Sequence, residues 1–136
     1  MFLNGTAMSG QKDHSVISGV ARLIGPATTA TRYRFFAIRD EFPGLFPVEH
    51  GGAAIEGELY EMSDELLFDS LLPQEPSELE IGSIELSDGS YVRAMILQPN
   101  RIRERDRVVD ITELGGWRAY QAHLEANTRA RDLLGL

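Results

Sequence analysis

Three features of this sequence predict an α+β fold, a small mixed β-barrel with flanking helices. Short apolar segments, punctuated by glycine and proline, read as strands one after another before the first long helical pattern. The helical patterns do not alternate with the strands, as they would in a doubly wound sheet. Roughly six strands in so short a chain would have to curl, which is the argument for a barrel. At 136 residues the chain fits one domain, 1–136, large enough to bury a core without disulfide or metal staples.

The elements follow in order. Phe2-Leu3-Asn4 reads as a strand running into Gly5. His14 to Ser18 forms one or two helical turns closed by Gly19. Val20 to Ile24 is a strand stopped by Gly25-Pro26. Tyr33 to Arg39 is rich in aromatic and branched residues, a strand again. Phe42-Pro43-Gly44-Leu45 reads as a turn with apolar flanks. Ala54 to Glu61 alternates with period two after Gly51-Gly52.

Ser63 is placed to cap a helix, with Asp64 and Glu65 at its positive end. Leu66, Leu67, Phe68, Leu71 and Leu72 give that helix its buried side, and Pro73 ends it. Ile81 to Leu86 and Tyr91 to Leu97 flank Asp88-Gly89, a hairpin turn. Arg101 to Val109 is charged and irregular. Asp110-Ile111-Thr112-Glu113 has the form of a capping box, with glycines that delay the helix. The last helix spans Trp117 to Leu134, with Trp117, Tyr120 and Leu124 on one face.

Charge and composition narrow the function. The net charge is −8, which repels phosphate backbones, so nucleic acid is not an expected partner. No lysine or arginine lies between Arg39 and Arg93, an interval crowded with acids, and arginines then cluster at Arg101, Arg103, Arg105 and Arg107. This is either a solvated acidic face beside a basic loop or complementary pairing, within the chain or across a homodimer. There are no cysteines, which excludes disulfides and thiolate metal sites and makes a reducing cytoplasm the simplest home. The start lacks the pattern of a signal peptide, and no stretch approaches the ~18 apolar residues of a membrane span. No pair of histidines shares a ligand spacing with a carboxylate, so neither metal nor cofactor is expected.

Asn4-Gly5-Thr6-Ala7-Met8-Ser9-Gly10 is the most informative segment. Two glycines bracket small residues just after a strand. Such a loop lets backbone N–H groups turn toward a carboxylate or a developing oxyanion. The plainer reading is a strand-to-helix turn. Gly115-Gly116, ahead of Trp117, weaken a helix start and suggest a backbone passing close to something, the first loop being a candidate.

In their order these segments resemble the gamma-glutamylcyclotransferase-like proteins. The first loop, Tyr33-Arg34-Phe35-Phe36, Phe42-Pro43-Gly44-Leu45 and Ile55 to Glu61 carry the likeness. The resemblance to the C-terminal domain of allophanate hydrolases is closer. It adds Leu79 to Leu86, Asp88-Gly89 and Asp110 to Tyr120, and so spans nearly the whole chain.

The resemblance implies a site for a small amide, carbamate or carboxylate. Asn4, Gly5, Thr6, Ala7 and Met8, with Tyr33 and Trp117, would bind the ligand. Cyclotransferases of this kind use a glutamate as general base and then acid, releasing 5-oxoproline from a gamma-glutamyl amide. Its counterpart here is Glu75, between Pro73 and Pro76, with Glu78 and Glu80 in its place if the correspondence slips. The allophanate hydrolase domain implies decarboxylation of a carbamate, with a histidine in the first loop. Ala7 stands there, and a methyl group transfers no proton; His14 is the nearest imidazole. The implied alternative is a non-catalytic accessory subunit beside a partner amidase.

Overall fold

The computed structural model describes residues 1–135. Its strands are β1 (Phe2–Leu3), β2 (Arg22–Thr28), β3 (Tyr33–Ile38), β4 (Phe42–Pro47), β5 (Glu56–Glu61), β6 (Leu79–Glu85), β7 (Tyr91–Leu97) and β8 (Val108–Asp110). They form a five-stranded sheet of order β2-β5-β1-β7-β6 and a three-stranded sheet of order β4-β3-β8. The short β1 is the hub, antiparallel to β5 and parallel to β7. The long helix α1 (Trp117–Leu134) closes the chain. The class is α+β with a mixed sheet, as the pattern predicts.

The barrel, however, does not close. The large sheet curls until the ends of its two edge strands touch, at the bridge between Thr29 and Leu86. Ala30 N–H donates to Glu85 O at 2.9 Å and Ser87 N–H to Thr28 O at 2.9 Å. Elsewhere, among the described residues, no ladder joins β2 to β6; along β2 a bulge between Leu23 and Gly25 shifts the register against β5. The small sheet joins by packing, not by a ladder. Leu97 on β7 fills the space beside Gly44 on β4, where a Cβ would come within 2.9 Å of Leu97 Cδ1.

Residues 42–45 are strand, not turn. β4 pairs with β3 from Ile38–Phe42 to Tyr33–Pro47. The hairpin turns instead through Arg39, Asp40 and Glu41. Arg39 and Asp40 are in the left-handed region at φ 53° and 57°, and Glu41 N–H donates to Ile38 O at 2.9 Å, a tight turn with one extra residue before the Ile38–Phe42 pair. Pro43 is tolerated because β4 is an edge strand, where a missing N–H costs no ladder bond.

The helix after Ser63 also differs from expectation. Ser63 Oγ accepts Leu66 N–H at 3.0 Å, so the cap forms. The chain then winds as a π-helix over Leu66–Leu71. Pro73 does not end it; it opens a 3-10 turn, Leu72–Gln74, where its missing N–H is not needed. Leu67 and Leu71 are buried, but Phe68 is 46% exposed and lies under the Arg93 guanidinium, 5.5 Å from the ring centre. Asp110 makes no capping box. Its carboxylate accepts the N–H and hydroxyl of Thr112 at 3.0 and 2.6 Å, an Asx-turn.

The main core gathers Phe2, Phe35, Leu45, Ile55, Ile84, Ile111, Trp117 and Tyr120 between the sheets and α1, and a second cluster joins Ile38, Phe42 and Leu97. Beyond Leu124, α1 is exposed on all sides. Among the described residues no helix is long and apolar enough to cross a membrane.

Candidate functional site

Glu75 ends the 3-10 turn in an extended conformation, φ −75° and ψ 149°. Pro76 enforces this, since a proline disfavours helical geometry in the residue before it. The carboxylate lines a cavity of about 20 Å³ with Asn4, Gly5, Thr6 and Ala7, walled by Phe2, Phe42 and Pro43. That is room for about one water-sized group. Burial first, then the negative charge of Asp13, pushes Glu75 up to about 7.

The first loop is stiff. Gly5 lies so close beneath Pro43 that a Cβ would come within 2.7 Å of Pro43 Cδ. Met8 N–H donates to Gly5 O at 3.1 Å and Asp13 N–H to Thr6 O at 2.9 Å. Among the described residues, no acceptor pairs with the N–H of Thr6 or of Ala7. The Met8 amide is used by the turn itself, so the free N–H groups of the loop's start are those of Thr6 and Ala7.

A residue not singled out from the sequence anchors this loop. Glu58 on β5 is buried and accepts Ser9 N–H at 2.7 Å and Ser9 Oγ–H at 2.6 Å. Tyr60 OH donates to it at 3.1 Å, and Arg118 of α1 lies 3.6 Å away. Burial works to raise its pKa, but the two Ser9 bonds, Tyr60 and Arg118 outweigh that and hold Glu58 below the usual carboxylate range. A signal existed: in an alternating strand Glu58 shares a face with Tyr60. Arg118 also donates to Ser9 O at 2.7 Å, so the first loop and the last helix meet, as expected; Gly115-Gly116 themselves lie against Ala54 and Glu56, not the first loop.

The sequence candidates divide. Asn4, Gly5, Thr6, Ala7 and Glu75 meet at the cavity. Met8 and Trp117 instead line a groove of about 420 Å³, and Trp117 shares a further groove with Thr6 and Lys12. The Trp117 indole N–H is buried without a partner among the described residues. Tyr33 ties β3 to β6, its hydroxyl accepting Glu85 N–H at 2.8 Å, away from the cavity. His14 also misses it: Nδ1 lies 3.0 Å from Ala7 O, so Nδ1 carries the proton, since a carbonyl only accepts. Glu78 pairs with Arg39 at 2.7 Å, and Glu80 is exposed on β6.

The model of the allophanate hydrolase C-terminal domain family matches residues 1–122. The chain belongs to this family. It is 34% identical over 97 residues to the urea amidolyase of Saccharomyces cerevisiae, a match covering 68% of this chain and 5% of that protein. The chain therefore corresponds to a small part of the curated relatives it matches. A uropathogenic E. coli-specific protein superposes with a TM-score of 0.80 at 33% identity, over 90% of this chain and 94% of that one. Kluyveromyces lactis allophanate hydrolase gives 0.82 at 27% identity, over 90% of this chain and 21% of that one. An aig2-like protein from Mus musculus shares the gamma-glutamylcyclotransferase-like fold, at 0.57 and 21% identity over 76% of this chain and 78% of that one.

Proposed function

We propose that the cavity between the first loop and Glu75 is a catalytic site for a small amide or carbamate, worked by general acid–base chemistry. The observation that carries this reading is one carboxyl group, poised at about 7 by burial and by Asp13, facing a loop with two unclaimed amides. A proton donor and acceptor is most effective when its pKa lies near the working pH. Free N–H groups at Thr6 and Ala7 suit a carbonyl oxygen that gains negative charge.

The substrate divides between two spaces. The cavity, at about 20 Å³, takes the carbonyl oxygen and little more. The remainder lies in an adjoining groove of about 350 Å³, which shares Thr6 and Phe42 with the cavity. Lys12, the chain's one lysine, lines that groove beside Asp13, Glu41 and Glu78. Arg39 engages Glu41 and Glu78 at 3.1 and 2.7 Å. Lys12 is in no ion pair among the described residues and is free to meet a substrate carboxylate.

With a carbamate no nucleophile attacks: Glu75, protonated, gives its proton to the nitrogen as the C–N bond breaks and CO2 leaves. With an amide, Glu75, ionised, takes the proton from the attacking group, an amine of the substrate or water. It then returns that proton to the departing nitrogen. The amides of Thr6 and Ala7 hold the carbonyl oxygen meanwhile. The test compares wild type and Glu75→Gln for 5-oxoproline release from gamma-glutamyl dipeptides and for carbamate decarboxylation. Loss of turnover by about 10²–10⁴-fold is expected. Equal turnover by the variant would remove Glu75 from the role.

A second reading has its own support. The S. cerevisiae relative carries the matching segment within a far longer urea amidolyase, and the cavity is small. On this reading the chain is an accessory subunit of a separate amidase. No turnover by wild type with either substrate class, together with retained binding of a carbamate analogue, favours it.

A further inference from the structure

We propose a second ligand site, for a small soluble anion bearing two or more negative charges, in the recess formed by Arg39, Arg101, Arg103 and Arg105. The recess has a volume of about 380 Å³ and is completed by Ser77, Glu78 and Asp106, within the size range of small-molecule sites. Four arginines line it with two acidic residues, in a chain whose net charge is −8. Both carboxylates are engaged by Arg39, at 2.7 Å to Glu78 and 3.3 Å to Asp106. Among the described residues, Arg101, Arg103 and Arg105 are in no ion pair, although Arg22, Arg32, Arg34, Arg93, Arg107 and Arg118 each find a carboxylate.

The arginine loop has a fixed base. Ile102 packs against the Ile38, Phe42 and Leu97 cluster. Arg103 N–H donates to Asp106 Oδ2 at 2.8 Å, and Asp106 N–H to Arg103 O at 3.0 Å, stapling the turn. The opposite wall is strapped down as well: Gln98 N–H donates to Glu78 O at 2.8 Å and Gln98 Nε2 to Ser77 O at 3.2 Å. Guanidinium forks held by such a frame suit the paired oxygens of phosphate or carboxylate groups. A monovalent anion leaves most of the converging charge unanswered; a multivalent one neutralises it.

The recess shares Arg39 and Glu78 with the groove proposed for the substrate, but Arg101, Arg103 and Arg105 line the recess alone, so variants at those three separate this proposal from the catalytic reading. Pyrophosphate and citrate are titrated into the wild-type protein at constant ionic strength, following backbone amides and arginine Nε–H groups by NMR. Saturable shifts confined to Arg39 and to residues 77–78 and 98–106 are expected. Each of Arg101→Gln, Arg103→Gln and Arg105→Gln should weaken binding by about tenfold, and the triple variant should abolish it. The three side chains are exposed, so the fold survives these changes, and a matching thermal melt verifies that. No saturation by millimolar pyrophosphate or citrate overturns the proposal. So does binding that persists in the triple variant, an equal response to sodium chloride, or binding only to vesicles carrying phosphorylated headgroups.

Discussion

The Glu58 carboxylate grips Ser9 twice, accepting its backbone N–H at 2.7 Å and its hydroxyl at 2.6 Å. This clamp ties the central sheet to the loop whose other end faces Glu75. Glu58→Ala removes both bonds and leaves the half-buried Ser9 donors and the Arg118 charge unanswered. A loss of about 2–3 kcal/mol is expected, with faster hydrogen exchange at the Ser9 amide. Because Glu58 lies below its ordinary value of 4.5 in the fold, its contribution is full above that pH and fades as pH falls through the lower folded value. An acid titration of wild type against Glu58→Gln reads that difference; identical acid limbs would refute the clamp.

Glu75 has the opposite sign. Its value rises from 4.5 to about 7 on folding, so between those values the folded chain binds more protons than the unfolded one. Stability from this group is therefore highest below pH 4.5, declines as pH rises to about 7, and stays low above. At 1.36 kcal/mol per unit the decline amounts to about 3 kcal/mol. Glu75→Gln, which cannot ionise, should melt higher than wild type at pH 8 and lose that slope. A variant that is less stable than wild type at pH 8 would count against the buried, poised carboxyl.

Turnover, where found, should follow the same group. The rate should change near pH 7 in wild type and keep that inflection in Glu78→Gln, because Glu78 is held by Arg39 and not by the cavity. Glu78→Gln should instead lower the melting temperature modestly, the pair being partly exposed. An inflection that moves with Glu78 and not with Glu75 reverses the assignment.

Two glycines set the shape of the site. A methyl at Gly5 would meet Pro43 Cδ at 2.7 Å, and at Gly57 it would meet Leu3 O at 2.4 Å. Gly57→Ala opposes backbone and should destabilise by about 1–3 kcal/mol or more. Gly5→Ala opposes a ring that has some freedom, so the loop shifts instead. Its expected signature is weakened binding of a carbamate or glutamate analogue with a smaller change in melting temperature. Calorimetry on both variants tests the contrast.

Local pattern was enough for most of the elements. The period-two run of β5, the Asp88-Gly89 turn between β6 and β7, the Ser63 cap and the Trp117–Tyr120 face of α1 each depend on neighbours in sequence, and each formed. The extended backbone of Glu75 also follows from a neighbour, Pro76; its choice as the acid–base candidate comes from the family resemblance. What the chain could not show locally depends on residues far apart. Pro43-Gly44 reads as a turn until β3 supplies a ladder partner and Leu97 fills the glycine's space. Glu58 reads as an outward strand residue until Ser9, 49 positions away, arrives to bond it. Tyr33 and Trp117 read as ligand contacts until packing turns them to β6 and to another groove. How far the sheet's two edges approach depends on contacts such as the Thr29–Leu86 bridge, between residues far apart in the chain. Propensity and periodicity are short-range and survive in the sequence; burial, charge pairing and sheet closure are sums over distant neighbours, and only the folded chain brings those neighbours together.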